Sequence, residues 1–328
     1  MKEILNHLYE HKTLTKSEAQ EILKSIASGK YNESQIASFL TVFIMRGITV
    51  DELEGFRDTM LELCIPVDLA EYDAMDLCGT GGDGKDTFNI STLSSFVVAG
   101  AGVKVAKHGN YGVSSVSGSS NVIQYFGGEF TNDIDKLRRK IETANICFLH
   151  APLFHPAMKH VAPVRRAMGV KTFFNMLGPM VNPSFVKKQL VGVFSLELAR
   201  LYGYLYQQTD KRFAILHALD GYDEISLTGA TKVISNDSER LIEPSDLGFS
   251  KLRQVDLAGG KTVEEAAKIF ETILKGEGTA AQNSAVLANS AMAIQVSKAD
   301  LSYEDAKAEA EASLLGGKAL NAFKLFIE

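Results

Sequence analysis

From Ala74 onward, short apolar segments alternate along the chain with segments of helical periodicity. The short segments are rich in the branched and aromatic residues that strands favour. They are AMDLC, GVKVAKHG, ICFLHAP, QLVGVFS, FAILHAL, EISLTG and TKVISN. The helical patterns are STLSSFVVAGAG, DKLRRKIETAN and ARLYGYLYQQT. This alternation is typical of strand–helix–strand crossovers, so it predicts an α/β domain with a mainly parallel sheet flanked by helices.

The first 66 residues carry the signals of a small helical domain. Three capping residues are each followed, three positions later, by an acid or an amide, which is typical of helix starts. These pairs are Thr15 with Glu18, Asn32 with Gln35, and Thr49 with Glu52. Pro66 ends this region, and we expect an α/β domain over 67–328. The apolar helix SQIASFLTVFIMRG fits either a buried core position or a subunit contact.

The composition restricts the classes of function. The chain has 328 residues, of which 45% are hydrophobic and 23% charged, as in a soluble globular protein. A net charge of -6 without a basic run does not favour nucleic acid as a ligand. The N-terminus is too polar for a signal peptide, no apolar run is long enough to span a membrane, and three scattered cysteines show no zinc spacing. We expect a cytoplasmic protein that binds neither nucleic acid nor membrane.

The stretch CGTGGDGKDTFNIST, residues 78–92, has the glycine spacing of a dinucleotide-binding loop and nearly that of a P-loop. The residues around it do not meet the further requirements of either motif. The next helix is expected near Ser91 or Thr92, several residues past the glycines, and Lys104 stands where a dinucleotide fold needs an acid. A P-loop needs serine or threonine after Lys85, where Asp86 stands. The stretch is therefore neither of these two motifs.

A different phosphate-binding loop fits the same residues. Glycine N–H groups can approach an anion, and Asn89, Ser91 and Thr92 offer polar groups at a helix N-terminus. Asp83 and Asp86 would repel a bare phosphate, which suggests a hydroxyl, an amine or a cation as partner for at least one of them. The alternative is a glycine turn with a helix cap at Asn89.

A second polar, glycine-rich loop follows the strand-like segment GVKVAK. It supplies Lys107, His108, Asn110, Ser114, Ser115, Ser117 and Ser119. Loops that leave the carboxyl ends of parallel strands meet at one crevice, so the two loops together predict a phosphorylated, polyhydroxylated ligand. Lys107 would suit a phosphate as a point charge. His108 fits either a catalytic or a structural role.

Two further segments carry candidate ligands. Asp223 and Glu224 follow Gly221 in a predicted turn, where both carboxylates can face one point and bind Mg²⁺; the alternative is a solvated acidic turn. Pro163 predicts a helix start that places Arg165 and Arg166 in the first turn. A positive charge there opposes the helix dipole, which suggests that one arginine binds a carboxylate, whereas a surface ion pair is the alternative for the other. His155 and His160 are five residues apart, which excludes a helical metal pair.

Several motifs in order resemble the anthranilate phosphoribosyltransferases, a nucleoside-phosphorylase-like family, over nearly the whole chain. They are GTGGDGKDTFNIST, KHGN, VSSVSGS, HPAMKHVAPVRRAMGVKTFFNMLGPMVNP and DGYDE. The resemblance implies transfer of the phosphoribosyl group of phosphoribosyl pyrophosphate (PRPP) to the amine of anthranilate, in tryptophan biosynthesis. It also implies two Mg²⁺ ions in each active site and a homodimer formed through the helical domains. A segment near 163–182 is expected to join the helical domain, leaving a PRPP-binding α/β domain.

The resemblance also implies the site residues, none of which reacts covalently. Those expected to bind PRPP are Gly79, Gly82, Asp83, Thr87, Asn89, Ile90, Ser91, Thr92, Lys107, Ser115 and Ser119. Those expected to contact anthranilate are Gly79, Asn110 and Arg165, and those expected to hold metal are Ser91, Asp223 and Glu224.

Two positions depart from the family pattern. Tyr111 stands where arginine is usual and Asn121 where aspartate is usual, as though a mutual ion pair had been removed. Two other functions compete with the transferase. One is a pyrimidine nucleoside phosphorylase of the same fold, which would need no metal, so that the acidic pair argues against it. The other is a non-catalytic nucleic-acid-binding relative, which the acidic net charge argues against.

Overall fold

The computed structural model describes residues 1–112 and 116–328. These residues form two compact units, one made of Met1–Pro66 with Ala151–Pro183 and the other of Val67–His150 with Ser184–Glu328. The segment that accompanies the N-terminal helices is therefore longer than the 163–182 expected from the sequence. Its first part packs on the N-terminal helices, through the 3₁₀ turn Pro156–His160.

Within the described residues the chain has fifteen α-helices. In chain order they are α1 (Lys2–Tyr9), α2 (Lys16–Ala27), α3 (Glu33–Met45), α4 (Val50–Glu62), α5 (Ile90–Gly100), α6 (Ser119–Tyr125), α7 (Ile134–Ala144), α8 (Ala151–Phe154), α9 (Ala162–Met168), α10 (Phe174–Leu177), α11 (Leu196–Tyr206), α12 (Val263–Leu274), α13 (Ala280–Ser297), α14 (Tyr303–Leu314) and α15 (Lys318–Ile327). None of them is long and apolar enough to cross a membrane.

The helical unit is built as its capping signals predict. α2, α3 and α4 each begin with a complete capping box, in which the cap and the third helical residue satisfy each other's backbone N–H groups. Their apolar faces enclose an aromatic core in which the Phe56 and Phe173 rings stack at 4.3 Å. The Phe39 ring packs edge-on against both. α3 therefore contributes to the core, while Ile44 and Met45 near its end are 45% and 81% exposed.

The described residues of the other unit form one sheet, whose strands are β1 (Met75–Gly79), β2 (Val105–Gly109), β3 (Ile146–His150), β4 (Lys188–Gly192), β5 (Arg212–Ala218), β6 (Thr231–Ser235) and β7 (Glu239–Ile242). Their order is β3-β2-β1-β4-β5-β6-β7. The first five strands of this order run parallel, and β6 and β7 are antiparallel to their neighbours. The predicted mainly parallel sheet flanked by helices is confirmed, since α5 and α13 pack on its strands.

Two details of the strand prediction are wrong. The segment EISLTG, residues 224–229, contains bends instead of a strand, and Leu227 in it has a left-handed φ of 59°. The edge strand β7 was not predicted, because three of its four residues are exposed and give no apolar signal.

The parallel strands bring their carboxyl ends to one edge of the sheet. Gly79 at the end of β1 is the register partner of Gly192 at the end of β4, and Gly109 at the end of β2 is the partner of His150. The loops after β1, β2 and β5 therefore leave the same edge of the sheet. These are the three loops in which the sequence places the candidate ligands of this unit.

Candidate active site

The loop after β1 has an unusual backbone that its glycines make possible. Gly81, Gly82 and Gly84 all have left-handed φ values, between 63° and 75°, which glycine adopts without strain. Gly82, Asp83 and Thr87 lie in this loop, and Thr87 forms an isolated β-bridge with Ala258. The loop therefore ends in a fixed position before α5.

α5 begins at Ile90, slightly earlier than the predicted start near Ser91 or Thr92. Asn89 occupies the cap position, but its side chain makes no capping hydrogen bond. Its Nδ2 instead donates to the Ser117 carbonyl at 2.9 Å and so ties the loop after β1 to the loop after β2. The interpretation of Asn89 as a simple helix cap is therefore wrong.

The two consecutive carboxylates face this loop and the start of α5. Asp223 Oδ2 accepts the N–H of Gly81 at 2.7 Å, and Glu224 Oε1 accepts the N–H of Ser91 at 3.0 Å. The two residues are only 8% and 9% exposed. The alternative of a solvated acidic turn is therefore wrong.

The described surroundings of Asp223 and Glu224 disfavour the charged forms of both carboxyl groups. Burial, reinforced by the charge of neighbouring Asp83, raises the pKa of Asp223 to about 7. Burial and the charges of Asp223 and Asp83 raise the pKa of Glu224 well above its usual range. Glu224 Oε2 is buried and has no hydrogen-bond partner in the described part of the chain. A bound cation would stabilise the ionised forms of Asp223 and Glu224 and would give Glu224 Oε2 a partner.

Magnesium fits this pair better than a metal that needs many protein ligands. Across residues 1–112 and 116–328, no group of three or more histidine, cysteine or acidic side chains is arranged to hold a metal ion. Mg²⁺ commonly uses only one or two carboxylates, with water and substrate phosphates as its other ligands. Two buried carboxylates beside a glycine loop are therefore a suitable set of donors.

Close packing fixes the position of Asp223. A Cβ atom at Gly79 would lie 2.3 Å from Asp223 Oδ2, and one at Gly192 would lie 1.4 Å from the Asp223 carbonyl oxygen. Asn289 of α13 holds the next peptide, because its Oδ1 accepts from Ile225 N at 3.0 Å and its Nδ2 donates to Ile225 O at 2.9 Å. The sequence analysis missed Gly192 and Asn289. The available signals were a glycine ending an apolar strand and an asparagine within an apolar helix.

The loop after β2 is held by hydrogen bonds from the start of α6. The carbonyl of Asn110 accepts from Ser120 N at 3.1 Å and from Ser119 Oγ at 3.2 Å. Ser114 and Ser115 lie outside the described residues. Lys107 is buried in β2, and its ammonium donates to the Leu77 carbonyl at 2.5 Å. Burial lowers the pKa of Lys107. The expected contact between Lys107 and a phosphate stays a prediction.

Arg165 belongs to the helical unit, and its place in α9 differs from the one predicted from the sequence. α9 has only seven residues, and both arginines fall in its last turn, so they do not oppose the helix dipole. Arg165 Nη2 donates to Asn175 Oδ1 at 3.0 Å, and its guanidinium lies 5.5 Å from the Phe174 ring centre. Its Nε is buried without a hydrogen-bond partner in the described part of the chain.

The Arg165 charge is thus partly buried without a counter-ion. Among the described residues no carboxylate forms an ion pair with it, and burial lowers its pKa. A planar guanidinium in such a place is suited to a carboxylate ligand. Arg166, by contrast, is exposed.

Two known family models match the chain. Residues 2–64 match the helical bundle domain of the glycosyl transferase family, and residues 71–320 match the a/b domain of the same family. These matches correspond to the helical region and to the region that contains the sheet.

Individual relatives show which members of the glycosyl transferase family the chain is similar to. The anthranilate phosphoribosyltransferase of Christiangramia forsetii is 64% identical over 324 residues, covering 99% of this chain and 98% of its own. That of Bacteroides thetaiotaomicron is 54% identical over 328 residues, covering 100% and 99%. The solved enzyme from Thermus thermophilus superposes with a TM-score of 0.90 at 30% identity, covering 98% of each chain. The Saccharomyces cerevisiae enzyme in complex with PRPP and Mg gives 0.89 at 28% identity, covering 98% of this chain and 95% of that one. The chain belongs to the anthranilate phosphoribosyltransferase family, as its motifs predict.

Proposed function

We propose that the protein transfers the phosphoribosyl group of PRPP to the amine of anthranilate, giving N-(5-phosphoribosyl)anthranilate and pyrophosphate, in tryptophan biosynthesis. The buried pair Asp223 and Glu224 beside the glycine loop carries this proposal, because a metal-dependent pyrophosphate leaving group needs such a place. Full-length relatives bear this activity as their name, and they favour neither the phosphorylase nor the nucleic-acid-binding alternative.

The glycine loop and the start of α5 are proposed to bind the phosphates of PRPP. The residues of this group are Gly79, Gly82, Asp83, Thr87, Asn89, Ile90, Ser91 and Thr92, with Lys107, Ser115 and Ser119 from the second loop. Backbone N–H groups at a glycine loop and a helix N-terminus favour an anion. Two such N–H groups, those of Gly81 and Ser91, donate to Asp223 and Glu224 in this structure. A cation that took over the carboxylates would leave both donors to the phosphates.

Asp223, Glu224 and Ser91 are proposed to hold the metal, with two Mg²⁺ ions in each site. Mg²⁺ would stabilise the charge that develops on the departing pyrophosphate. The unpartnered Oε2 of Glu224 and the two carboxylates that share one neighbourhood support this assignment. The presence of Mg in the yeast complex supports the identity of the ion.

Arg165, Asn110 and Gly79 are proposed to contact anthranilate. The partly buried guanidinium of Arg165 would bind the carboxylate, which leaves the amine to attack the ribose. An aryl amine is uncharged at neutral pH and is already a nucleophile, so the site needs no strong base and no covalent residue. The protein then acts mainly by positioning and by stabilising charge.

The homodimer and the cytoplasmic location are also proposals. Met45 and Tyr9 are exposed at a groove between α1 and α3, Ile44 is also exposed on α3, and such an apolar surface is typical of a protein contact. We infer a two-fold contact through the helical unit. The three cysteines carry free thiols, as suits a reducing compartment.

The loss of anthranilate fluorescence with PRPP and Mg²⁺ tests the reaction. We expect consumption of anthranilate that needs both additions and releases one pyrophosphate for each anthranilate consumed. Chelation of the metal should stop it. A preparation that leaves anthranilate unchanged and instead cleaves uridine with inorganic phosphate would overturn the proposal in favour of the phosphorylase.

A further inference from the structure

We propose that Asn121 is a positioning residue that joins the two ends of the loop between β2 and α6; its effect on PRPP rests on the proposed function. Asn121 Oδ1 accepts two backbone N–H groups, from Gly112 and from Gly118, each at 3.0 Å. The two donors lie six residues apart in the chain, yet they share one oxygen atom. Asn121 is in the first turn of α6, so the helix carries the acceptor.

The two loop ends touch each other so closely that no other side chain could lie between them. A Cβ atom at Gly118 would lie 2.2 Å from the Gly112 nitrogen and 2.6 Å from the Tyr111 carbonyl carbon. Glycine is therefore required at 118 by space. Because the backbones meet here without ladder pairing, the Asn121 oxygen is what satisfies their N–H groups.

This junction connects residues that the proposed function places on both substrates. The carbonyl of Asn110, proposed to contact anthranilate, accepts from Ser119 Oγ, proposed to contact PRPP. The carbonyl of Ser117, next to Gly118, accepts from Asn89 of the first loop at 2.9 Å. A shift of the Gly112–Gly118 junction would therefore move contacts to the phosphates and to the acceptor substrate together.

The role of Asn121 needs an oxygen acceptor and no charge. The aspartate usual in the family would offer the same oxygen, so the departure preserves this junction. The other departure, Tyr111, packs edge-on against His150 at 5.0 Å and donates from its hydroxyl to Gln124 at 3.3 Å. Burial lowers the pKa of His150 to about 4, so this aromatic contact is uncharged at neutral pH. Tyr111 thus fills its place by packing and does not form an ion pair with residue 121.

Three variants of the full chain test the inference. Asn121→Ala removes the acceptor, Asn121→Asp keeps it, and Gln124→Ala is a control one turn further along α6 that removes only the Tyr111 contact. Binding of PRPP with Mg²⁺ is measured by titration calorimetry. Because Asn121→Ala loses two hydrogen bonds, we expect its affinity for PRPP to fall about tenfold. The PRPP affinities of the other two variants should stay within about threefold of wild type.

Hydrogen exchange provides a readout that needs no ligand. The amides of Gly112 and Gly118 should exchange faster in Asn121→Ala, and at the wild-type rate in Asn121→Asp. Unchanged exchange at both amides in Asn121→Ala, or unchanged PRPP affinity in that variant, would overturn the inference. Faster exchange in a protein whose wild type binds no PRPP would support the junction and overturn the proposed function instead.

Discussion

Arg165 carries a positive charge that the described residues do not neutralise. Its guanidinium contacts an amide oxygen of Asn175 and the ring of Phe174, and neither partner is charged. Burial of an unpaired charge costs stability, so a residue kept in this state suggests a ligand. The sequence singled out Arg165 on an argument about the helix dipole that the short α9 does not support.

Arg165→Ala should raise the KM for anthranilate with much less effect on the KM for PRPP. A hydrogen bond to a charged group contributes about 1.5–3 kcal/mol, or roughly ten- to a hundredfold. Arg165→Lys should recover only part of this, since it loses the planar fork. The exposed neighbour supplies the control, and Arg166→Ala should leave both constants near the wild-type values. Steady-state kinetics with each substrate varied in turn measures these effects, and a loss confined to PRPP would assign Arg165 to the phosphates instead.

Some site residues could be predicted one by one and others could not. Asp223 and Glu224 stand next to each other after a glycine, so the sequence itself places two carboxylates together. Gly192 and Asn289 act on the same turn from distant positions; Asn289 bonds to Ile225 across 64 residues of chain. A single sequence contains no local signal for such a contact, because it exists only once β4 and α13 pack beside the turn.

At the scale of elements, the start of α4 is held by Glu52. It completes the capping box by accepting Thr49 N at 2.9 Å, and it also accepts Leu14 N at 2.9 Å and pairs with Arg46 at 2.6 Å. Burial acts to raise the pKa of Glu52, but these hydrogen bonds outweigh it and the net pKa is lowered. The stabilisation is therefore present above the unfolded-state pKa and is lost as the pH falls through the folded-state value.

Glu52→Ala should lower the free energy of unfolding of the helical unit by about 3–5 kcal/mol, because it leaves the partly buried Arg46 without its carboxylate partner and two N–H groups without their acceptor. Glu54→Ala on the same helix is the matched control. Glu54 forms partly exposed ion pairs with Lys16 and Arg57, which are worth about 0–1 kcal/mol. Urea unfolding followed by circular dichroism measures both changes. Equal losses in the two variants would contradict the central role of Glu52 in this unit.

Elements with strong local signals were predictable from the sequence, and those fixed by tertiary contacts were not. The capping boxes of α2, α3 and α4 need only residues three apart, and β1 to β6 carry apolar runs. The segment EISLTG has the same apolar character, but Asn289 binds the backbone of Ile225 on both sides and the segment forms bends instead of a strand. β7 lacks an apolar run because it is an exposed edge strand that pairs with β6.

At the scale of the whole molecule, we predict a homodimer formed through the groove between α1 and α3. Met45→Lys places a charge in this apolar surface and should shift the sedimentation coefficient from dimer to monomer. Leu315→Lys, at a residue that is 59% exposed in the other unit, is the matched control and should leave the dimer intact. A wild-type protein that sediments as a monomer at all concentrations would contradict the prediction.

The central claim is that Asp223 and Glu224 form a metal site that makes PRPP binding depend on Mg²⁺. Titration calorimetry of PRPP with and without Mg²⁺, on wild type and on the double variant Asp223→Asn with Glu224→Gln, tests it most directly. Asp237→Asn, an exposed acid of the same unit, is the control.

The fold of the double variant should be intact, because removal of two buried carboxylates with raised pKa values relieves unfavourable charge. We predict that Mg²⁺ raises the PRPP affinity of wild type and of the control, and that it has little effect on the double variant, which should also be nearly inactive. A double variant with the wild-type dependence on Mg²⁺ and the wild-type turnover would contradict the account.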